Sequence, residues 1–327
     1  MAILVVGGAG YIGSHMAAVL VESGVETIVL DNLIKGHKKA VWPGAKFYEG
    51  TMQDATLLDK IFTENTVTCV VHFAAHTSVP ESMDAPAMYF DNNTVGTFVL
   101  LENMRKHGVK NIVFSSTASV YGMPDTIPVT EEAIPHPINP YGESKLATER
   151  MLKWYGQAYG IKYIAFRYFN VAGAHESGLI GENHDPETHL IPIVIKTAQG
   201  EFEELKIYGD DYPTPDGTCI RDYVHVTDLA DAHMLAVKRL ESGGESAIYN
   251  LGSGSGFSNK EIVDSVKKVT GIDFVVNIEE RRPGDPPVLI ASSEKARREL
   301  GWNPTRTDME NIIRTAWNWH NQEAERE

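Results

Sequence analysis

In the stretch NPYGESK, residues 139–145, Tyr141 stands four positions before Lys145. A phenol is a weak acid, and an ammonium beside it favours the phenolate, which can act as a base near neutral pH. Asn139 is a good helix N-cap and Pro140 a good first helical residue. Side chains four apart share a helix face, so the spacing predicts that Tyr141 and Lys145 point the same way. The run NIVFSST, 111–117, reads as a strand ending in Ser115, Ser116 and Thr117. In open α/β sheets ligands bind at such strand ends, and Thr117 is a candidate to orient a substrate oxygen there. A bare Tyr-x-x-x-Lys also arises by chance on a solvated helix face, so its meaning depends on what accompanies it.

Near the N-terminus, GGAGYIG follows an apolar run and opens a helical pattern, with Gly7, Gly10 and Gly13 three apart. This is a variant of the dinucleotide fingerprint. The first glycine permits a tight turn, the second lets backbone approach a pyrophosphate, and the third lets helix and strand pack closely. Asp31 ends the next strand, 18 residues after Gly13. A carboxylate there can bond both ribose hydroxyls of NAD and repels the 2′-phosphate of NADP. The plainer alternative is a strand-ending aspartate that caps a turn.

These residues need a scaffold that brings strand ends together. The first half alternates β-branched runs with amphipathic segments. Strands are expected at 2–7, 26–31, 47–50, 68–75, 111–117 and 162–170; helices are expected from Tyr11 to about Gly24, at 55–65, at 87–108, and from Pro140 to about Gly160. Such alternation predicts a doubly wound, Rossmann-type parallel sheet in an α/β fold. The pattern loosens after residue 170. The chain is therefore divided into a dinucleotide-binding domain, 1–170, and a smaller mixed α/β lobe, 171–327, with about 226–253 returning to the first sheet as a helix and a seventh strand. The polar tail after Trp319 is expected to fray.

Composition excludes several classes. With 43% apolar and 22% charged residues the chain has an ordinary globular makeup. The formal net charge of −15 argues against nucleic acid as a partner. No apolar run is long enough to span a bilayer, and MAILVV reads as a buried strand and not as a targeting segment. Cys69 and Cys219 lack metal-ligand spacing, so neither a disulfide framework nor a metal is expected, and a cytoplasmic location fits.

Taken together, the glycine turn, Asp31, Thr117, Tyr141 and Lys145 resemble the extended short-chain dehydrogenase/reductase family over nearly the whole chain. The resemblance implies that Thr117, Tyr141 and Lys145 form the catalytic triad. RYFNVAGAH (167–175), HLIP (189–192), YGDDYPTPDGTCIRDYVHVTDLADAH (208–233) and RRPGD (281–285) resemble the UDP-hexose 4-epimerase branch of that family. What this implies is interconversion of UDP-galactose and UDP-glucose by transient oxidation at the sugar C4, with tightly bound NAD regenerated each cycle. By the same resemblance the cofactor is held by Gly7, Gly10, Tyr11, Ile12, Gly13, Asp31, Asn32, Thr51, Met52, Phe73, Ala74, Ala75, Thr77, Asn93, Ser115, Tyr141, Lys145 and Tyr168. The substrate is held by Thr117, Tyr141, Asn170, His189, Leu190, Lys206, Tyr208, Arg221, Arg282, Asp285 and Leu289. Arg221 and Arg282 match pyrophosphate-gripping arginines, Tyr208 an aromatic beside the uracil, and Asp285 a carboxylate on the uridine ribose.

Three positions depart from the branch's common pattern. Thr51 replaces an aspartate near the adenine, Thr77 a lysine near the nicotinamide ribose, and Leu289 a bulky tyrosine over the sugar. In this family smaller residues at the last position go with acceptance of N-acetylhexosamines, so activity on UDP-N-acetylglucosamine, as well or instead, is the alternative, with a UDP-glucuronate epimerase beside it. A 4,6-dehydratase usually carries Asp-Glu after its catalytic threonine, whereas Ala118 and Ser119 follow Thr117 here. The resemblance further implies a homodimer formed through the helices at 87–108 and 141–159, with Phe98, Leu101, Met104, Leu152 and Tyr155 as contact candidates; the alternative is that these face only their own sheet.

Overall fold

Alternation along the first strand, β1 (Ala2–Val6), sets up the two faces of the main sheet. Ile3 and Val5 join one buried cluster, while Ala2, Leu4 and Val6 join the other. The structure is a computed structural model that describes residues 1–282 and 285–324; Pro283 and Gly284 of the RRPGD motif and the last three residues of the tail lie outside the described residues. Helix α1 (Tyr11–Glu22) lays Met16, Ala17 and Leu20 on the first face. Strands β2 (Glu26–Asp31) and β3 (Lys46–Glu49) come next. Helix α2 (Ala55–Glu64) starts at Asp54, whose carboxylate accepts from the Thr56 and Leu57 N–H groups, and covers the second face with Leu58, Ile61 and Phe62. Fully burying each such side chain is worth ~1.5–3 kcal/mol, so both coats contribute to holding the sheet.

After β4 (Val67–His72) the single helix expected over 87–108 is replaced by a broken path. It comprises α3 (Val79–Asp84), α4 (Pro86–Tyr89), a π-helical turn at Phe90–Val95, and α5 (Gly96–Lys106). The wide turn faces Asn93 inward, where its amide donates to the His76 carbonyl and to Ser144 Oγ (both 3.0 Å) and accepts from the His76 N–H (2.9 Å). Hydrophobic periodicity does not register one extra residue per turn. Leu101, Met104 and Leu152 are wholly buried in the chain's own core, whereas Phe98 is 47% exposed.

Strand β5 (Asn111–Thr117) leads to α6 (Pro140–Tyr159). Asn139 caps this helix by accepting from the Gly142 N–H at 2.8 Å, and Gly160 ends it in the left-handed region, where a glycine is favoured. β6 (Lys162–Tyr168) is shorter than the expected 162–170 run, because Asn170 opens a separate strand, β7 (Asn170–Ala172), that pairs in another sheet. The remaining elements are α7 (Leu190–Ala198), β8 (Leu205–Tyr208), β9 (Ile220–His225), α8 (Val226–Glu241), β10 (Ala247–Leu251), β11 (Gly256–Ser258), α9 (Asn259–Thr270), β12 (Val276–Glu279), β13 (Val288–Leu289), α10 (Glu294–Leu300) and α11 (Met309–Ala324). The tail expected to fray continues α11 as far as Ala324, with Trp319 and His320 buried.

The main sheet is parallel, in the order β10-β6-β5-β4-β1-β2-β3, with β10 entering beside β6. The chain works outward from β1 in both directions, so β1 and β4 flank the switch point where doubly wound sheets bind ligands. A second sheet runs β11-β9-β13 with β7 also on β9, and β8 pairs with β12 in a separate ladder. Ile191, Ile195, Ile207, Ile262, Val266, Ile312 and Ile313 give this later part its own core.

Candidate active site

A cavity of about 950 Å³ lies over the strand ends at the switch point. Its wall runs from the β1–α1 glycine turn and Asp31, past Thr117 and Tyr141, to Arg221 and Leu289. At Gly7, φ is +81°, and an added Cβ would lie 2.5 Å from the Ala74 N, so only glycine lets the turn pass the end of β4. At Gly13 a Cβ would lie 2.1 Å from the Gly7 carbonyl oxygen, so α1 packs on the turn backbone to backbone. Gly10 differs: a Cβ there would meet only the Gly7 carbonyl, at 3.4 Å, leaving space on the cavity side.

Asp31 can serve as turn cap and as ribose anchor at once. Its Oδ1 accepts from the Leu33 N–H and its Oδ2 from the Ala9 N–H, each at 2.9 Å, so it caps a turn and fastens the glycine loop. A carboxylate has about four acceptor sites, which leaves two for ribose hydroxyls in the cavity that Asp31 lines. Helix α1 opens on this cavity with no side-chain cap on its first N–H groups. The free N–H groups, the open space at Gly10 and the remaining acceptors of Asp31 fit a dinucleotide diphosphate and its ribose. Tyr11, Ile12, Asn32, Thr51, Met52, Phe73, Ala74, Ala75, Thr77, Ser115 and Tyr168 also line the cavity. Asn93 does not; it holds the 74–77 loop from behind through His76.

At the other end, Tyr141 sits at the first turn of α6, facing the end of β5. Thr117 Oγ1 accepts from the Ser119 N–H at 3.1 Å, which frees its proton for the Tyr141 phenol. Burial pushes that phenol above its ordinary value, and the Thr117 hydrogen bond opposes the rise. Lys145 lies behind the wall, donating to the Ser115 carbonyl at 2.9 Å with its ammonium 5.0 Å from the Phe114 ring centre. Burial lowers it to about 7, against the upward pull of Glu149 one turn further on. The drop in the Tyr141 pKa expected from sequence is therefore not a property of these side chains alone; it needs added positive charge in the cavity.

The residues assigned to substrate divide into two sets. Asn170, His189, Leu190, Arg221, Asp285 and Leu289 line the cavity together with Thr117 and Tyr141. Arg221 Nη1 donates to the carbonyls of Pro286 (2.8 Å) and Ile220 (3.0 Å), and its Nη2 lies 3.4 Å from Asp285 Oδ1. Leu289 stands opposite Arg221 in the β13–β9 ladder. Lys206, Tyr208 and Arg282 stand apart from the wall. Lys206 pairs with Glu279 (3.4 Å) and Glu204 (3.6 Å), and the Arg282 guanidinium stacks 3.8 Å from the Tyr208 ring centre. β8 carries two of these residues on the ladder with β12, away from the sheet that bears Arg221.

Sequence reasoning missed the support beneath β5. Glu149 pairs with Arg167 through both carboxylate oxygens (3.0 and 2.7 Å) and accepts from Ser116 Oγ at 2.5 Å. Arg167 also donates to the Tyr121 hydroxyl at 2.8 Å, which in turn donates to Asn250 Oδ1 at 2.7 Å. The signal was there: Glu149 comes four positions after Lys145, on the same face. Glu182 and His184 on the cavity wall, with the buried Glu187 beside them, were missed too.

Residues 3–252 match the model of the NAD dependent epimerase/dehydratase family. The chain is 55% identical over 325 residues to the UDP-glucose 4-epimerase of Lacticaseibacillus casei, covering 99% of this chain and 98% of that one. It is similar to the crystal structure of UDP-glucose 4-epimerase from Brucella ovis in complex with NAD, at 47% identity and a TM-score of 0.95 over 97% of each chain. It is also similar to that of UDP-glucose 4-epimerase from Bifidobacterium longum in complex with NAD+ and UDP, at 38% identity and a TM-score of 0.92 over 99% of each chain.

Proposed function

The chain belongs to the NAD dependent epimerase/dehydratase family, and from that membership we propose that it interconverts UDP-galactose and UDP-glucose by transient oxidation at the sugar C4. The observation that carries this reading is the single cavity wall shared by the glycine turn, the Thr117–Tyr141 pair and Arg221. NAD, when bound, supplies the hydride acceptor that is also the donor of the return step. Tyr141, as phenolate, takes the proton of the sugar 4-hydroxyl while Thr117 holds the same oxygen. Lys145, fixed on the Ser115 carbonyl, adds positive charge behind the phenol. Arg221, Arg282 and Asn170 hold the diphosphate, with Tyr208 and Asp285 on the uridine. The sugar is gripped loosely enough to turn and present its other face. Binding energy is thus spent on the part that does not react.

In the proposed division of labour, residues 1–170 with 226–253 hold the cofactor, and the rest of 171–327 holds the UDP-sugar. The chain acts as a homodimer, with Val95, Phe98 and Trp154, which are 48%, 47% and 65% exposed, covered by the second copy. Sedimentation of the purified protein gives the mass of two chains; a one-chain mass removes the dimer. Both cysteines are free and buried, in keeping with a reducing cytoplasm, and among the described residues no helix is long and apolar enough to cross a membrane.

Purified protein without added NAD interconverts the two UDP-hexoses. Replacing Tyr141 by Phe slows this by roughly 10²–10⁴-fold, the usual worth of general acid–base catalysis, while UDP binding persists. Near-normal turnover of Tyr141→Phe would remove Tyr141 as the base.

A further inference from the structure

The segment between β7 and α7 carries Glu182, His184, Glu187 and His189, and their donor atoms converge. One oxygen or ring nitrogen from each lies within 4.8 Å of the other three. His184 Nδ1 is 3.2 Å from Glu182 Oε1 and 3.9 Å from Glu187 Oε1. His189 Nδ1 is in hydrogen-bond contact with Glu182 Oε1 and 4.0 Å from Glu187 Oε1. Ligand atoms of a tetrahedral zinc site, at Zn distances of ~2.0–2.2 Å, stand about 3.4 Å apart, so closing this set around an ion takes only small side-chain shifts. Two imidazole nitrogens and two carboxylate oxygens are donors that suit Zn²⁺.

The alternative is an ion-pair network with no metal, and the unpartnered oxygen of Glu187 weighs against it. The Glu182 and Glu187 side chains are only 5% and 2% exposed, so two carboxylates sit side by side away from water. Glu187 Oε1 already accepts from the Thr188 and His189 N–H groups, yet its Oε2 is buried with no hydrogen-bond partner. A buried carboxylate oxygen without a partner is costly, and a cation bound to the Glu187 carboxylate offsets that cost. The spacing E-x-H-x-x-E-x-H in GENHDPETHL is the sequence trace of this set.

We propose that Glu182, His184, Glu187 and His189 form a Zn²⁺ site that fastens the β7–α7 segment over the cavity. The segment is already tied to the glycine-turn side. Tyr11 OH donates to the Gly173 carbonyl (2.5 Å), the His184 ring stands edge-on to Tyr11, and Lys35 Nζ donates to the Asp185 carbonyl (3.0 Å). A metal here makes this strap a cross-linked loop. Binding of the ion is tested without the reaction; its consequence, slower loss of NAD, rests on the function proposed above.

The test uses the whole protein with its own cofactor, stripped of metal by a chelator and titrated with Co²⁺, which reports four-coordination by visible d–d absorption. The expected result is an absorption that saturates at one Co²⁺ per chain, is displaced by Zn²⁺, and is lost in both Glu187→Gln and His184→Gln. Absence of the absorption in the unaltered protein overturns the site, whether or not the variants fold. Persistence of the absorption in both folded variants also overturns it, since the ion is then bound elsewhere. Release of NAD, followed by its fluorescence after reduction, slows when Zn²⁺ is restored. Zn²⁺ bound in the expected ratio with unchanged NAD release overturns the strap and leaves the site.

Discussion

The residue we propose to set the choice of sugar is not one that does chemistry. Leu289 projects from the two-residue strand β13 beside Arg221 and packs against the cluster of Ala118, Val120 and Phe169 beyond the end of β5. It therefore links Arg221 to the turn that follows Thr117. A leucine leaves space that a tyrosine fills, and an N-acetyl group needs space. Leu289→Tyr is expected to lower activity on UDP-N-acetylgalactosamine by roughly 10–200-fold, the range for a pocket contact of this size, while activity on UDP-galactose changes little. Side-by-side assays of the two substrates check this, and equal loss of both would sink the role given to Leu289. The neighbouring Tyr141 and Lys145 were legible because a capped helix start makes their spacing mean a shared face. Their electrostatics were not. Burial raises Tyr141 and brings Lys145 to about 7, and burial is set by the packing of β5, β6 and α6, which no single stretch of sequence shows.

Among the elements, the glycine turn and α1 show how two glycines of one motif do different work. At Gly13 a methyl group meets the Gly7 carbonyl oxygen at 2.1 Å and the Gly8 Cα at 2.8 Å, so α1 must move off the sheet. At Gly10, which lines the cavity, it meets nothing closer than 3.4 Å. Gly13→Ala is expected to lower stability by ~1–3 kcal/mol or more, as overpacked cores do. Gly10→Ala is expected to purify with little NAD and to melt close to the parent protein stripped of NAD. Thermal melts and cofactor content together decide this; a Gly10→Ala protein with full NAD would leave the turn a packing device only. The main sheet was legible because parallel strands buried on both faces read as continuous apolar runs. The π-helical turn at Phe90–Val95 was not, since the bonds it places between Asn93 and the distant His76 leave no trace in local periodicity. Nor were β11 and β13, at three and two residues, because such short ladders depend on what β9 offers them.

At the scale of the whole molecule, buried histidines join the sheets to the elements packed around them. His233 on α8 contacts the Tyr168 hydroxyl at the end of β6 (2.5 Å) and donates from Nδ1 to the Leu229 carbonyl (2.8 Å). His225 at the end of β9 accepts from the Thr227 N–H and lies 3.1 Å from Thr315 Oγ1 on α11. His72 in β4 reaches Thr97 on α5 at 2.8 Å. The long-range partners of these histidines, unlike the strands themselves, leave no periodic trace in the sequence. Burial holds all three neutral, lowering His233 to about 4 and His225 and His72 to about 3 from the ordinary 6.5. In the unfolded chain each takes up a proton near pH 6.5. Between that value and about pH 4 the unfolded state therefore holds more protons than the folded one, and stability falls as pH falls. Each group contributes up to roughly 1.4 kcal/mol per pH unit across that window; carboxylates held low by partners add to the fall only nearer pH 4. The expected outcome is a melting temperature that declines from pH 6.5 to 5. His233→Gln, which keeps a hydrogen-bonding side chain but cannot titrate, should flatten part of that decline even if it lowers stability at pH 7. A His233→Gln protein whose melting temperature falls as steeply as the parent's between pH 6.5 and 5 would show that His233 is not among the groups that set it.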